Sequence, residues 1–285
     1  MAADRSTPVV AMTIAGSDSG GGAGIQADLK VFAALGVHGT SAVTAVTAQN
    51  TTGVTSVHQL PASQVLAQIE AVRADLPVAA VKTGMLGTAR VAGAVAALAR
   101  AGDLPNLVVD PVLVSTSGHR LGVVGAVERL LPYALVATPN RAEASALVGW
   151  PVRTPDEMAR AAAELVAGGP RFVVVTGGDP DGTSTDPAAV DVVATAPDPA
   201  AGAGVAGDSW QLAGERLATR NTHGTGCSFA AAVAARLALG DDVPAALDVA
   251  KGYVAGALAG AAHWRLGAGH GPVDHFGWSR QPLSI

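Results

Sequence analysis

The stretch VVAMTIAGSDSGGGAGIQADLKVFAAL, Val9–Leu35, opens on an apolar run, breaks into glycines and closes on a helical pattern. Val9–Ile14 places apolar residues at nearly every position, as a strand buried on both faces requires. Ile25–Leu35 spaces its apolar side chains for a helix, so the glycines between must turn the chain back onto the strand. Outward from this unit the alternation repeats. Strands are predicted at Thr40–Thr47, Val78–Lys82, Leu107–Asp110, Leu135–Thr138 and Phe172–Thr176, with helices at Ser63–Asp75, Thr88–Arg100, Arg141–Val148 and Thr154–Ala167. Thr154, Pro155 and Glu157 form a capping-box start. Cys227–Leu239 and a following segment read as two more helices. Strands alternating with helices in this order predict a layered α/β domain on a mostly parallel sheet.

At 285 residues, with 49% apolar and 14% charged side chains, the chain holds enough core for one large domain. One domain is expected, its core running from about residue 9 to 276. Residues 178–209, dense in Asp, Pro, Gly and Ala, read as a surface excursion that a short strand at Val190–Thr195 interrupts. With 18 basic against 23 acidic side chains and no Lys/Arg cluster, nucleic acid is an unsuitable partner. Pro244–Trp264 is broken by Asp248 and Lys251, so no membrane span is expected. Val9–Ala15 is too short for a secretion signal. The lone Cys227 excludes an internal disulfide and a cysteine metal cage. A cytoplasmic protein is the expectation.

Several familiar sites are absent. There is no G-x-x-x-x-G-K-[ST], no G-x-S-x-G and no H-E-x-x-H, and Gly16–Gly24 fails G-x-G-x-x-G because Ile25 and Ala27 stand where a third glycine would fall. What remains are loops at strand ends, where open α/β sheets bind ligands. GSDSGGGAGIQAD, Gly16–Asp28, lets backbone approach a ligand between two carboxylates, although a tight strand-to-helix turn explains the glycines as well. In TAQNT, Thr47–Thr51, Gln49 and Asn50 carry amides suited to a heterocycle edge or to turn formation. In KTGML, Lys82–Leu86, Met85 lines an apolar slot or fills the core. NTHGTGC, Asn221–Cys227, puts glycines before a long helix, which makes an anion hole and would lower the Cys227 thiol pKa, unless the cysteine is buried and inert. TPNRAE spaces Asn140 and Glu143 for Mg²⁺ or for a helix cap. VVVTGGD ends a buried strand on two glycines suited to phosphate, and Asp110 adds a carboxylate at the same edge. An anion hole, a magnesium-competent pair and a small-molecule loop point to phosphoryl transfer.

Together GSDSGGGAGIQAD, VTAQNT, KTGML, VVDPV, TPNRAE, NTHGTGC and GHGPV (Gly269–Val273) resemble the hydroxymethylpyrimidine/phosphomethylpyrimidine kinases of thiamine biosynthesis, in the ribokinase superfamily. The motifs span nearly the whole chain. The resemblance implies a three-layer α/β/α sandwich with a ribokinase-like, mostly parallel central sheet. It implies transfer of the ATP γ-phosphoryl group to the 5-hydroxymethyl of 4-amino-5-hydroxymethyl-2-methylpyrimidine, and a second transfer to the monophosphate. Gln49 would hold the amino edge, with Gly16, Asp28 and Met85 completing the pocket. Asn140 and Glu143 would position Mg²⁺ and ATP, with Asp110 near the metal and Thr176, Gly177 and Gly178 at the nucleotide. Gly224, Thr225, Gly226 and Cys227 would receive the transferring phosphate, Cys227 standing where many superfamily relatives carry an aspartate base. A monovalent cation and a homodimer are further features of such relatives.

The chain departs from the pattern in two places. Thr176-Gly177-Gly178-Asp179 stands where many relatives have Lys-Gly-Gly-His, and Ser115–Thr116 and His119 stand where Ala-Lys and Asp are usual. A pyridoxal or pyridoxine kinase and a pyrimidine-binding protein without turnover are the competing readings. A hydrolase with Cys227 as nucleophile beside His223 is a third.

Overall fold

A computed structural model of the chain describes residues 7–113, 124–178, 188–197 and 207–279. The opening unit forms as expected: β1 (Val10–Asp18) passes through the glycine turn into α1 (Gly24–Ala34). The strand is longer than predicted because, after a register shift between Ala15 and Ser17, Ser17 and Asp18 go on pairing with Val46 and Thr47 of β2 (His38–Asn50). β3 (Gly53–Gln59) folds back antiparallel on β2, and α2 (Ala62–Asp75) leads to β4 (Val78–Thr83). Beyond it come α3 (Ala89–Arg100), the two-residue β5 (Val108–Val109), the single turn α4 (Val124–Val127) and the two-residue β6 (Val136–Ala137). Next are α5 (Arg141–Val148), α6 (Pro155–Ala167), β7 (Phe172–Val175), β8 (Ala188–Thr195) and β9 (Ser209–Glu215), and the helices α7 (Thr225–Ala238) and α8 (Val243–Ala261) close the order.

The strands form one sheet in the order β3-β2-β1-β4-β5-β6-β7-β8-β9, parallel from β2 to β7 and antiparallel at both edges. Successive side chains on a strand face opposite ways, so each buried strand feeds two cores. Val173 and Val175 join Met12, Ile14, Ile69, Val95 and Leu165 on one face, under α2, α3 and α6. Val174 joins Ala11, Ala80, Phe32, Phe229 and Leu247 on the other, under α1, α7 and α8. The result is the three-layer sandwich, and continuous apolar runs such as FVVV are its sequence signature. The capping box at Thr154 and Glu157 is formed.

Two strands go beyond the sequence reading. β3 is exposed at five of its seven residues, so no apolar alternation marks it. The other is β9, which pairs antiparallel with β8; β8 contains the strand expected at Val190–Thr195 and pairs antiparallel with β7, so this part of 178–209 lies in the sheet. Asp179, Ser115, Thr116 and His119 lie outside the described residues.

The topology also creates the crevice. From β1 the chain crosses to α1 on one face, whereas from β4 it crosses to α3 on the other. The loops leaving adjacent strands therefore diverge, and a cleft opens at their carboxyl ends. α7 packs across β1, β4 and β5, and its first turn lines that cleft. Among the described residues, no helix is long and apolar enough to cross a membrane.

Candidate active site

The cleft holds a cavity of about 170 Å³ walled by the ends of β1, β2, β4 and β5 and by the starts of α5 and α7. It gathers Gly16, Gln49, Met85, Asp110, Asn140, Glu143 and Gly224–Cys227, which sequence reading had placed on six separate motifs.

At one end stand polar groups that can grip a heterocycle. Gln49, near the end of β2, has its amide Nε2 3.2 Å from His223 Nε2, and its Oε1 3.3 Å from Thr47 Oγ1. The Asp18 carboxylate lies 3.0 Å from the same His223 nitrogen and accepts the backbone N–H groups of Gly20, Gly22 and Ala23 at 2.8, 3.1 and 2.9 Å. Burial pushes the Asp18 carboxyl up, but the hydrogen bonds from His223 and the loop amides outweigh it and hold the group below its ordinary value. Met85 is fixed through its carbonyl, which accepts from Thr44 Oγ1 at 2.6 Å. Its methyl fills the space over Gly16, where a Cβ would overlap it.

Asp28 is a correction. It faces the sheet from the second turn of α1, fully buried, and does not line the cavity. Its carboxylate accepts Thr13 Oγ1 at 2.6 Å and Lys82 Nζ at 3.0 Å on both oxygens. Burial favours the neutral acid, yet two donor groups make three hydrogen bonds to these two oxygens, and only the ionised carboxylate accepts them all. Burial likewise opposes the Lys82 charge, but Asp28 and Asp110 hold the ammonium above its ordinary range.

At the other end sit two carboxylates. Asp110, just past β5, stands 3.3 Å from Lys82 Nζ through an Oδ2 that is buried without a hydrogen bond. Glu143 caps α5: its Oε2 accepts from Asn140 N at 2.9 Å while Asn140 Oδ1 accepts from Glu143 N at 2.9 Å. The two readings of TPNRAE are thus compatible, because the cap also lines the cavity. Burial and the neighbouring Asp110 push the Glu143 carboxyl up to about 8. Lys82 compensates Asp110 from behind, yet the Glu143 carboxyl still resists ionisation, so a further positive charge on the cavity side would be favourable. Among the described residues no three His, Cys, Asp or Glu side chains converge into a cage. Two carboxylates with open positions suit Mg²⁺, which keeps waters and phosphate oxygens as its remaining ligands.

Between the two ends lies the start of α7. Gly224 takes φ +84°, and a Cβ there would overlap the Gly22 carbonyl, so both conformation and contact demand glycine. The first turn has no acidic residue and no side-chain cap, which leaves the helix dipole uncompensated at the cavity. The motif GHGPV straps this loop from behind. The backbone N–H of His223 donates to Gly271 O at 3.0 Å, while Asn221 is held by the end of α8, its Nδ2 donating to Ala261 O at 2.6 Å.

Cys227 is a second correction. The helix start was expected to lower its pKa; instead burial pushes the thiol up to about 12, with Asp110 and Asp28 adding to the effect and Lys82 opposing it. His223 Nε2 is engaged with Asp18 and Gln49.

Residues 18–274 match the family model described as phosphomethylpyrimidine kinase. The chain belongs to that family. The hydroxymethylpyrimidine/phosphomethylpyrimidine kinase of Streptomyces coelicolor is 48% identical over 277 residues, 96% of either chain. Among solved structures, Bacillus subtilis pyridoxal kinase in an ADP complex is similar with a TM-score of 0.83 and 35% identity, covering 96% of this chain and 100% of that one. The phosphomethylpyrimidine kinase of Clostridium difficile is similar with a TM-score of 0.70 and 37% identity, covering 88% and 99%.

Within this family frame, Thr176, Gly177 and Gly178 stand beside the cavity rather than in its lining. Thr176 bridges Asn140, and the Gly177 N–H donates to Asp191 at 2.9 Å, where a Cβ would overlap Val190 O. Gly177 is therefore glycine for close packing on β8. Asp18, His223 and Lys82 line the cavity too, and sequence reasoning gave none of them a place at the heterocycle or phosphate. Asp18 and His223 lay inside quoted motifs, and the signal for Asp18 was a carboxylate preceding a run of glycines, whose bare N–H groups need an acceptor. Lys82 opened a third motif, where its burial was not legible.

Proposed function

We propose that this chain is an ATP-dependent kinase that phosphorylates the 5-hydroxymethyl of 4-amino-5-hydroxymethyl-2-methylpyrimidine and then the resulting monophosphate, in thiamine biosynthesis. The observation that carries the reading is the meeting of a heterocycle-binding amide, an uncapped helix start and two neighbouring carboxylates in one cavity of a phosphomethylpyrimidine kinase family member. Gln49 orients the ring, and Met85 packs on it over Gly16. The α7 amides of Gly224–Cys227 accept the negative charge that grows on the transferring phosphoryl oxygens. Asp110 and Glu143 would hold Mg²⁺, which neutralises phosphate charge when bound. Asn140, with Thr176–Gly178 beside it, faces the nucleotide. Sγ of Cys227 keeps its proton in the resting site, and a loose transition state lets the hydroxyl proton pass late, onto an oxygen of the transferring phosphoryl group. The reading takes the chain as one catalytic domain of a cytoplasmic homodimer.

A second reading, pyridoxal kinase, is favoured by the higher TM-score to the Bacillus subtilis enzyme. The 48% identity over 96% of either chain outweighs it. The test is phosphorylation followed by mass spectrometry, offering the pyrimidine, its monophosphate and pyridoxine separately, with and without Mg²⁺ and K⁺. Mono- and diphosphate of the pyrimidine are expected. A monophosphate alone would assign the loss of the second step to the altered shell at Thr176. Turnover of pyridoxine only would install the second reading, and pyrimidine binding with no product would leave a binding protein.

A further inference from the structure

The polar end of the cavity contains two conflicts that one rearrangement resolves. His223 Nε2 lies 3.0 Å from Asp18 Oδ2 and 3.2 Å from Gln49 Nε2. The Asp18 carboxylate already accepts three backbone N–H groups and can only accept, so His223 Nε2 must carry hydrogen. A protonated ring nitrogen then faces an amide nitrogen, two donors with nothing between them. On the other side, the Thr47 hydroxyl has one hydrogen and two acceptors in reach, Ser17 O at 2.9 Å and Gln49 Oε1 at 3.3 Å. Turning the Gln49 amide end for end removes both conflicts. Oε1 then accepts from His223 Nε2–H, and Nε2 donates to Thr47 Oγ1 while Thr47 donates to Ser17. Amide orientation is decided by partners in this way.

We infer that Asp18 and His223 form a positioning relay that fixes the Gln49 amide in this sense and so selects which heterocycle edge the site accepts. An amide free to rotate pairs equally with a donor-then-acceptor edge and with its reverse. A fixed one offers Oε1 on the His223 side and Nε2 on the Thr47 side, and accepts one sense only. The edge that fits has an exocyclic amino group beside an unprotonated ring nitrogen, the amino group lying toward His223. A 4-oxo ring, with its carbonyl beside a protonated nitrogen, meets donor against donor and acceptor against acceptor. This deepens the pyrimidine reading given above and rests on it for the ligand, while the relay stands on the protein's own geometry.

Two measurements test it. In ¹⁵N-labelled protein without ligand, long-range ¹H–¹⁵N correlation of His223 should find hydrogen on Nε2; a bare Nε2 would overturn the relay whatever the substrate. Calorimetry should then compare 4-amino-5-hydroxymethyl-2-methylpyrimidine with its 4-oxo counterpart. The His223→Leu variant should lose about tenfold of the wild-type preference for the amino ring, the scale of one hydrogen bond, with KM rising and kcat little changed. A folded variant that keeps the full preference refutes the inference. If the wild type binds neither ring while Nε2 carries its hydrogen, the relay survives and the pyrimidine reading falls.

Discussion

Lys82 and Asp28, 54 residues apart in sequence, form an ion pair with no side-chain exposure on either partner, Nζ standing 3.0 Å from both carboxylate oxygens. The pair ties the end of β4 to the second turn of α1 directly behind the cavity. Breaking one side strands a buried charge, so Asp28→Ala should lose about 3–5 kcal/mol in urea unfolding. Replacing both by apolar groups, Lys82→Met with Asp28→Leu, should recover most of that stability without restoring activity, because Asp110 loses its counter-charge. An Asp28→Ala protein as stable as the wild type would contradict this account.

Glu143 makes stability depend on pH in the direction opposite to a paired carboxylate. Its carboxyl lies near 8 in the fold against an ordinary 4.5, so the folded state holds a proton that the unfolded chain has released. Its contribution is therefore fully present below about 4.5 and is lost as pH rises through about 8. Thermal melting from pH 5.5 to 8.5 should show this decline in the wild type and not in Glu143→Gln. Added Mg²⁺ should raise the melting temperature more at pH 8.5 than at pH 6, since the cation favours the ionised form. An equal Mg²⁺ shift at both pH values would remove Glu143 from the cation site.

A thiol pushed up to about 12 is almost wholly protonated at neutral pH. Alkylation of Cys227 in the ligand-free protein should therefore accelerate about tenfold per pH unit up to at least pH 10, without levelling near 8. If Cys227 positions the hydroxyl rather than taking its proton, Cys227→Ser should lose less than the ~100-fold that removing a general base costs. A larger loss in a folded variant would restore the base.

Two glycines should respond differently to alanine. At Gly224 the added Cβ meets the rigid Gly22 carbonyl, at a left-handed φ of +84°. We expect a loss of more than ~1 kcal/mol, with melting lower by about 2–4 °C for each kcal/mol and activity abolished. At Gly16 the Cβ meets only the mobile end of Met85. Melting should stay near wild type there, while KM for the pyrimidine rises.

Much of this was legible in sequence because the signals are local. Continuous apolar runs marked the parallel strands, Thr154 and Glu157 marked α6, and loops at strand ends gathered the cavity residues. The failures share a cause. Asp28 lies one turn beyond the glycine loop and reads as part of it, but only the packing of α1 shows that it turns to the sheet and Lys82. The helix start at Cys227 was legible, whereas the carboxylates brought near it from β5 and α1 were not. β3 escaped because an edge strand exposed along its length needs no apolar period.

The strap of Gly271 behind His223 bears on how the protein is made. His223 reaches back 205 residues to Asp18, and its own backbone leans on the segment around Gly271 and Pro272. β1 can pair with β2 and β4 locally, whereas the loop before α7 takes its place only when residues 205 positions apart have met. The loop that opens α7 is thus tied to β1 on one side and to the segment around Gly271 on the other, and a cut anywhere between these anchors should loosen it from both.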